Sequence, residues 1–471
     1  MIIANNYNRF KELRDDYPYF IFEEFHIKST NLNICMSFHF NLSDKFHFYP
    51  KIDIPVNEFI NTDKLSQNLL NNIVFHIGMI EMLSYWKATC SPEIIIKSYK
   101  LDDVQQLWWK KLYFNGLGEF FYLNGINPNF HDFVTIKSVG NEAFSRETVD
   151  LNNTNLIPVG GGKDSALSYN LLSEAAEDNL VFFLNPQHLP VDVVDLNNKK
   201  SKIVIAEREI SPVLLELNNK GFLNGHTPFS ALLAFISLMI SALTSRKNII
   251  LSNESSANES TVANTSVNHQ YSKTFAFESD FRYYVSDYIA DGFNYFSFLR
   301  PVNELQIAFL FSEHKHFFKK FRSCNVGSKK GVWCCRCPKC LFTYIILYPF
   351  LSNEELNSIF GENLFDISEL KPIFEQLTGK ADIKPFDCIG TIAEVNMAIV
   401  MSIKKHKYKN LPYLLEYYFT DELYKIYEKK NFKTLLKQFN TENFLSVHHA
   451  KIIKSALEKR FIAIFGENIS I

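Results

Sequence analysis

The segment Leu156-Ile157-Pro158-Val159-Gly160-Gly161-Gly162-Lys163-Asp164-Ser165 indicates the architecture of the central part of this chain. A short apolar run ends in three glycines, and residues 166–177 then carry apolar side chains along one helical face. This order predicts a strand, a tight turn and a helix. Glycines bring backbone N–H groups close to a ligand, and a helix start adds unpaired donors, so the turn is suited to binding phosphate.

The polar residues of this turn indicate how phosphate would be bound. Lys163 and Ser165 can contact phosphate oxygens, and Asp164 can hold Mg²⁺. A Walker A loop is excluded, because its spacing requires glycine where Ile157 stands and Ser or Thr where Asp164 stands. The plainer alternative is an ordinary glycine turn that leads into a helix.

The run from Gly160 to Ser165 resembles the loop of the ATP pyrophosphatases, the PP-loop superfamily. Those enzymes cleave ATP to AMP and diphosphate and usually adenylate an oxygen of their substrate. The resemblance implies that residues 160–165 bind ATP together with Mg²⁺.

Short apolar strands alternate with helices from about residue 153 onward, which indicates a parallel sheet covered on both faces. Ligands of such sheets bind beyond the carboxyl ends of the strands. Asn253 and Glu254 directly follow a strand predicted at residues 248–252. We therefore expect both side chains to line the nucleotide or magnesium site.

Composition and periodicity divide the 471 residues into three regions. Residues 1–150 are predicted to form an α+β domain, residues 151–345 the α/β parallel-sheet domain of PP-loop type, and residues 346–471 a helical region. The strongly apolar segment 228–244 contains Ser and Thr and is short for a bilayer span, so a helix buried against the sheet is predicted there.

The charge balance argues against a nucleic-acid partner, since 49 Lys and Arg residues face 51 Asp and Glu residues. The chain also begins without a basic segment followed by an apolar one. A cytoplasmic protein with no membrane partner is the expectation, and the oligomeric state is not predicted.

Residues 267–273 are rich in hydrogen-bonding side chains and contain neither glycine nor proline. The segment is interpreted as a substrate-facing loop, with a solvated surface loop as the alternative. His269 and Lys273 lie four positions apart in it, on the expected ATP side of the sheet, which favours a role in proton transfer.

Four cysteines have a spacing typical of a structural zinc site: Cys324, Cys334, Cys337 and Cys340. Cys335 would remain outside this ligand set. A redox pair and an iron–sulfur cluster are alternatives. Zinc is favoured because adenylation needs no electron transfer.

Two families contain motifs of this kind. The glycine loop combined with the cysteine string resembles 7-cyano-7-deazaguanine synthase, but that resemblance is limited to those two motifs. A resemblance over nearly the whole chain is to the UDP-N-acetylmuramoyl-L-alanyl-L-glutamate epimerase family. Its motifs lie at residues 85–90, 116–120, 158–165, 225–230, 251–254, 268–273, 333–340 and 385–390.

The second resemblance implies an isomerase of peptidoglycan synthesis that inverts the terminal glutamate of a UDP-linked muramoyl peptide, a small-molecule substrate. Adenylation of the glutamate carboxyl would acidify Cα–H, and AMP and diphosphate would be released. His269 and Lys273 are the implied proton-transfer pair, with His226 as a substitute for either. The alternatives are a different adenylating enzyme of the same superfamily and a protein that senses nucleotide without turnover.

Overall fold

The computed structural model describes residues 4–62, 65–175, 177–186, 194, 202–263, 265–327 and 330–468. Within these residues the fold is mixed α/β, with one large sheet and a helical C-terminal region. The strands are β1 Tyr19–Ser29, β2 Asn33–Leu42, β3 Phe46–Phe48, β4 Lys51–Pro55, β5 Glu93–Ile96, β6 Thr135–Ser138, β7 Glu147–Thr148, β8 Asn152–Pro158, β9 Asn179–Leu184, β10 Lys202–Glu209, β11 Arg246–Leu251, β12 Ala290–Asp291 and β13 Asn294–Ser297.

The helices of the first 300 residues cover both faces of this sheet. They are α1 Tyr7–Asp16, α2 Gln67–Trp86, α3 Asp103–Gly116, α4 Gly118–Leu123, α5 Lys163–Glu174, α6 Pro212–Asn219, α7 Phe229–Leu243 and α8 Phe275–Tyr288. The later helices are α9 Glu304–Phe311, α10 Pro338–Leu347, α11 Asn353–Phe360, α12 Lys371–Thr378, α13 Ile392–Lys405, α14 Tyr413–Phe419, α15 Glu422–Glu428, α16 Phe432–Leu436 and α17 Val447–Phe465.

Eleven strands form one continuous sheet with the order β13-β11-β8-β9-β10-β4-β2-β1-β5-β6, and β3 pairs with β2. The five strands from β13 to β10 are parallel. Strands β10, β4, β2 and β1 then pair antiparallel. One sheet therefore crosses residue 150, and the division into three domains stays a prediction.

Alternation along the parallel strands explains why both faces of this half of the sheet are covered. In β8, Leu156 belongs to the core that contains α2 and α7, while Ile157 belongs to the core that contains α5, α9 and the C-terminal helices. Successive side chains of a strand point to opposite faces. Each strand is thus buried on both sides, as is typical of a parallel sheet.

The apolar segment predicted to form a buried helix is α7, and twelve of its fifteen residues are buried. Leu238 and Ile240 are fully enclosed in the core next to the sheet. Among the described residues, no helix has both the length and the apolar character that crossing a bilayer requires.

Candidate active site

Three neighbouring parallel strands end at the candidate site. The glycine loop and helix α5 follow β8, Asn253 and Glu254 follow β11, and Glu304 lies at the start of α9 after β13. Because the carboxyl ends of parallel strands meet at one sheet edge, residues more than 100 positions apart come together here.

The glycine loop packs closely against residues 322 and 323. The backbone N–H of Arg322 donates to the carbonyl oxygen of Gly161 at 3.0 Å, and Gly161 has a left-handed φ of +80°. A Cβ atom at Gly162 would lie 3.1 Å from Ser323 Oγ, and one at Gly160 would meet nothing within 4 Å. Within the described chain, the backbone N–H groups of residues 160–165 donate to no protein group.

Lys163 links the loop to the acidic residues at the ends of the other two strands. Its ammonium group is buried and forms ion pairs with Asp164 and Glu304. One carboxylate oxygen from each of Asp164, Glu254 and Glu304 lies within 4.8 Å of the others. Burial, together with the charges of Asp164 and Glu254, raises the pKa of Glu304 to about 8 against the opposing effect of Lys163. These residues therefore form a compact acidic cluster around one lysine.

The remaining predicted loop residues lie nearby. The hydroxyl of Ser165 donates to the carbonyl oxygen of Gly162 at 3.3 Å. The amide of Asn253 donates to Ser297 Oγ at 3.0 Å, so this side chain spans the ends of β11 and β13.

A second cluster, here called the acid–base cluster, consists of His269, His226 and Glu119. The Nδ1 atom of His269 pairs with Glu119 Oε2, and His226 Nδ1 lies 3.7 Å from the same oxygen. The two imidazole rings are 4.4 Å apart between centroids. Two of the three residues predicted to transfer protons thus share one carboxylate.

The two histidines carry opposite pKa shifts. Burial acts against the charged form of His269, but hydrogen bonds with Cys388 and Glu119 outweigh it and raise its pKa to about 9. Burial and the positive charges of His269, Lys87 and Lys273 lower the pKa of His226 to about 3. At neutral pH His269 is therefore an imidazolium and His226 a neutral imidazole.

Lys273, the third predicted residue, points to Cys388. Its Nζ atom lies 3.1 Å from Cys388 Sγ. Burial alone would lower the pKa of Lys273, but the charges of Cys388 and Glu254 outweigh burial and raise the pKa. Cys388 also hydrogen-bonds His269. The sulfur therefore connects two residues that are four positions apart in sequence.

Two buried polar atoms beside these clusters lack a hydrogen-bond partner within the described chain. They are the Oε1 atom of Gln270 and the hydroxyl oxygen of Ser252. Buried polar groups are almost always paired in folded proteins, so unpaired ones at a sheet edge fit a site that binds a polar ligand.

The four predicted zinc ligands also converge. The sulfur atoms of Cys324 and Cys337 are 3.9 Å apart, those of Cys334 and Cys340 are 3.8 Å apart, and those of Cys337 and Cys340 are 3.4 Å apart. Zinc–sulfur bonds of about 2.3 Å in a tetrahedron require sulfur separations of about 3.8 Å. Cys335 lies apart, with its thiol against the carbonyl oxygen of Phe360 at 3.3 Å.

Sequence reasoning assigned no role to Glu119, Glu304 or Cys388. Glu119 pairs with a histidine 150 positions later, and no local spacing indicates such a contact. Glu304 follows a short strand that was not predicted. Only Glu119 and Cys388 had a usable signal, since both lie in motifs of the family resemblance.

The parallel-strand edge, the glycine loop and the adjoining acid–base cluster together define an α/β enzyme. Comparison with known families gives the class of reaction. The MurL N-terminal domain family matches residues 11–298, and the MurL C-terminal domain family matches residues 320–431. The chain belongs to the MurL family, which confirms the predicted resemblance to an epimerase family and makes the protein an isomerase.

Curated relatives support this assignment. The chain is 33% identical to the UDP-N-acetyl-alpha-D-muramoyl-L-alanyl-L-glutamate epimerase of Xanthomonas oryzae pv. oryzae, over 71% of this chain and 75% of the relative. It is 30% identical to proteins of the same name from Micromonospora sp., covering 73% of this chain and 77% of the relative, and from Salinispora tropica, covering 73% and 76%. No solved structure matches the chain.

Proposed function

We propose that this protein inverts Cα of the terminal L-glutamate of UDP-N-acetylmuramoyl-L-alanyl-L-glutamate in an ATP-dependent reaction that gives AMP and diphosphate. The observation that carries the proposal is the position of the acid–base cluster, which adjoins a glycine loop in a chain of the MurL family. Lys273 links the acidic cluster to the acid–base residues. Glu254 and Asp164 of the acidic cluster stabilise its positive charge, and its ammonium group contacts Cys388.

ATP is needed because the Cα–H of a glutamate with an ionised carboxyl is very weakly acidic. Removing that proton would place a carbanion beside a carboxylate. Conversion of the carboxylate to an acyl-adenylate removes the negative charge and provides an electron sink for the carbanion. After inversion, water would release AMP and restore the carboxylate.

The residues of the glycine loop fit the phosphates of ATP. Backbone donors of Gly160, Gly161 and Gly162 have no protein partner among the described residues, and Lys163 and Ser165 add a cation and a hydroxyl at the helix start. Asn253 lies at the edge of the same site. Fixed donors of this kind stabilise charge on a transferring group.

The acidic cluster fits Mg²⁺, since hard cations prefer carboxylate oxygens. Asp164 and Glu254 would hold the ion, and Glu304 supplies a third oxygen within reach. Bound there, Mg²⁺ would neutralise phosphate charge. The paired arrangement of Lys163 with Asp164 and Glu304 keeps these carboxylates together before ATP binds.

His269 and Lys273 are the proposed proton-transfer residues, with His226 as the alternative. The imidazolium of His269 is suited to donating a proton at neutral pH, and the neutral ring of His226 to accepting one. Lys273 carries a charge beside them that would stabilise the enolate formed from the acyl-adenylate.

The four-cysteine cluster would hold a structural zinc ion. Zinc would tie residues 324–340 together. Gly331 of this segment accepts a hydrogen bond from the side chain of Arg322, whose backbone N–H donates to the glycine loop, and Lys339 donates to the carbonyl oxygen of Cys388. The cluster thus stabilises two walls of the site and takes no part in the chemistry.

A cavity of about 490 Å³, lined by residues close in sequence to Glu119 and His269, suits the rest of the long substrate. Gly118 and Val267 line it, and they precede Glu119 and His269 by one and two positions. Small-molecule binding also agrees with the net charge of −2, which does not favour nucleic acid. None of the eight cysteines, which all lie in the described part of the chain, forms a disulfide, as is usual in a reducing compartment. Together with the UDP-linked substrate, this favours the cytoplasm as the place of action.

ATP analogues test the position at which the nucleotide is cleaved. Glutamate should be inverted when the methylene bridge lies between the β and γ phosphates, but not when it lies between the α and β phosphates. Inversion with the α,β-methylene analogue, or inversion without nucleotide, would contradict adenylation.

A further inference from the structure

Cys388 has the most unusual surroundings of any thiol in the described chain. It lies in the loop that precedes α13, is half-buried, and has Lys273 Nζ 3.1 Å from its sulfur. His269 hydrogen-bonds the same sulfur. Lys339 donates to the carbonyl oxygen of Cys388, so a third cation lies close by.

The charged groups around the sulfur favour a thiolate. Burial acts against it, but Lys273, Lys339 and His269 outweigh burial and hold the pKa of Cys388 well below its usual value. The preceding residue is an acid, Asp387, where burial raises the pKa to about 6. Thiolates are the reactive form of cysteine and are found at electropositive, partly accessible positions.

The other cysteines provide a contrast. Burial raises the pKa of Cys90, and burial with Asp53 raises the pKa of Cys35. Arg14 and Lys87 act on Cys90, and Lys51 and Lys28 on Cys35, but burial outweighs these cations in both cases, and the Cys90 thiol faces the carbonyl oxygen of Lys87 at 3.5 Å. Cys388 therefore differs from the structural thiols by its contacts as well as by its location.

We propose that the Cys388 thiolate is the atom that takes the Cα proton of the adenylated glutamate, that His269 relays this proton away from the sulfur, and that Lys273 stabilises the negative charges of the thiolate and of the enolate. This inference rests on the proposed epimerase function and adds the identity of the proton acceptor. The geometric basis is the 3.1 Å contact between Lys273 Nζ and the sulfur of Cys388, next to the pair formed by His269 and Glu119.

The proton transfer balances with water as the second partner. The Cα–H bond breaks, its electron pair moves into the acyl group to give an enolate, and the proton forms an S–H bond on Cys388. A water molecule then protonates Cα from the opposite face and becomes hydroxide. The hydroxide leaves to solvent, Cys388 gives its proton to solvent through His269, and the two combine to water, which restores the thiolate.

Deuterium exchange at Cα in D₂O tests this role, using UDP-N-acetylmuramoyl-L-alanyl-L-glutamate, ATP and Mg²⁺. Loss of a general base costs about 10²–10⁴-fold in rate. Cys388→Ala and Cys388→Ser should therefore reduce Cα deuteration at least about 100-fold while ATP–diphosphate exchange stays within a few-fold of wild type. Cys35→Ser, which removes a thiol outside the site, should keep both activities.

Two results would overturn the proposal: wild-type deuteration in Cys388→Ala, or a substrate thioester on Cys388 in the mass spectrum of the quenched wild-type enzyme. If wild type itself shows neither AMP nor inversion, the proposed function fails instead, so the two failures are distinguishable.

Alkylation of the wild-type protein gives a second readout that does not depend on a variant. Iodoacetamide at pH 7 followed by peptide mapping should modify Cys388 before Cys35, and bound substrate with ATP should protect it. Equal labelling of the two cysteines, or labelling of Cys388 that substrate does not slow, would contradict the assignment.

Discussion

The guanidinium of Arg300 donates from Nη1 to the carbonyl oxygen of Glu254 at 2.7 Å. It also donates from Nη2 to the carbonyl oxygen of Lys273 at 2.5 Å, and it pairs with Glu278 at 3.0 Å. Arg300 is fully buried. One side chain thus fixes the backbone of both the proposed magnesium site and the proton-transfer segment.

Arg300→Met should destabilise the fold by about 3–5 kcal/mol, because removing one partner leaves Glu278 charged and unpaired in the interior. The double variant Arg300→Met with Glu278→Gln should recover part of this loss. Urea unfolding of the three proteins measures the difference. Arg9→Met serves as control, since its pair with Glu12 is exposed and should contribute less than about 1 kcal/mol. A loss that small for Arg300→Met would contradict the assigned role.

Lys163→Met should reduce AMP formation by about 10²–10³-fold, the usual loss when a group that stabilises developing charge is removed. The ion pairs with Asp164 and Glu304 place this lysine in the phosphate site. The control is Lys202→Met, whose partner Asp178 lies on the surface at 2.7 Å. Full ATP turnover in Lys163→Met would show that the glycine loop does not bind the phosphates as proposed.

The folding stability that His269 provides should depend on pH. Its pKa is raised from 6.5 to about 9 in the folded state. The contribution is therefore complete below about pH 6.5 and is lost as the pH rises through 9. Unfolding by urea at several pH values should show a shallower decline over this window for His269→Asn. The exposed His448→Asn should keep the wild-type decline; an unchanged decline in His269→Asn would refute the assignment.

Purified protein should contain about one zinc ion per chain by elemental analysis. Cys334→Ser and Cys340→Ser should lose it and unfold at lower temperature, because structural zinc contributes directly to folding. Cys335→Ser should retain the metal, since its sulfur faces Phe360 and lies outside the cluster. Zinc retained in Cys340→Ser, or absent from wild type, would exclude the proposed ligand set.

The sequence predicted the strand–loop–helix unit of the parallel sheet because its signals are local. Apolar runs mark the strands, and Gly160 to Gly162 mark the turn. The structure confirms the mixed α/β class and the helical C-terminal region.

Contacts between distant segments were harder to predict. The sheet continues from β10 to β4, where the backbones of Glu207 and Asp53 are register partners although about 150 residues separate them. No local pattern in either strand indicates which strand will be its neighbour. Glu304 and Glu119 reach the site in the same way, through strand order and helix packing. Local patterns identify which residues can do chemistry, but long-range packing decides which of them meet.

The most direct measurement combines two products of one reaction. Purified protein is mixed with UDP-N-acetylmuramoyl-L-alanyl-L-glutamate, ATP and Mg²⁺, and the chirality of the glutamate is determined after hydrolysis while AMP is quantified. The account predicts D-glutamate together with AMP, and neither product when ATP is omitted. Glutamate that stays entirely L while AMP accumulates, or D-glutamate without AMP, would contradict it.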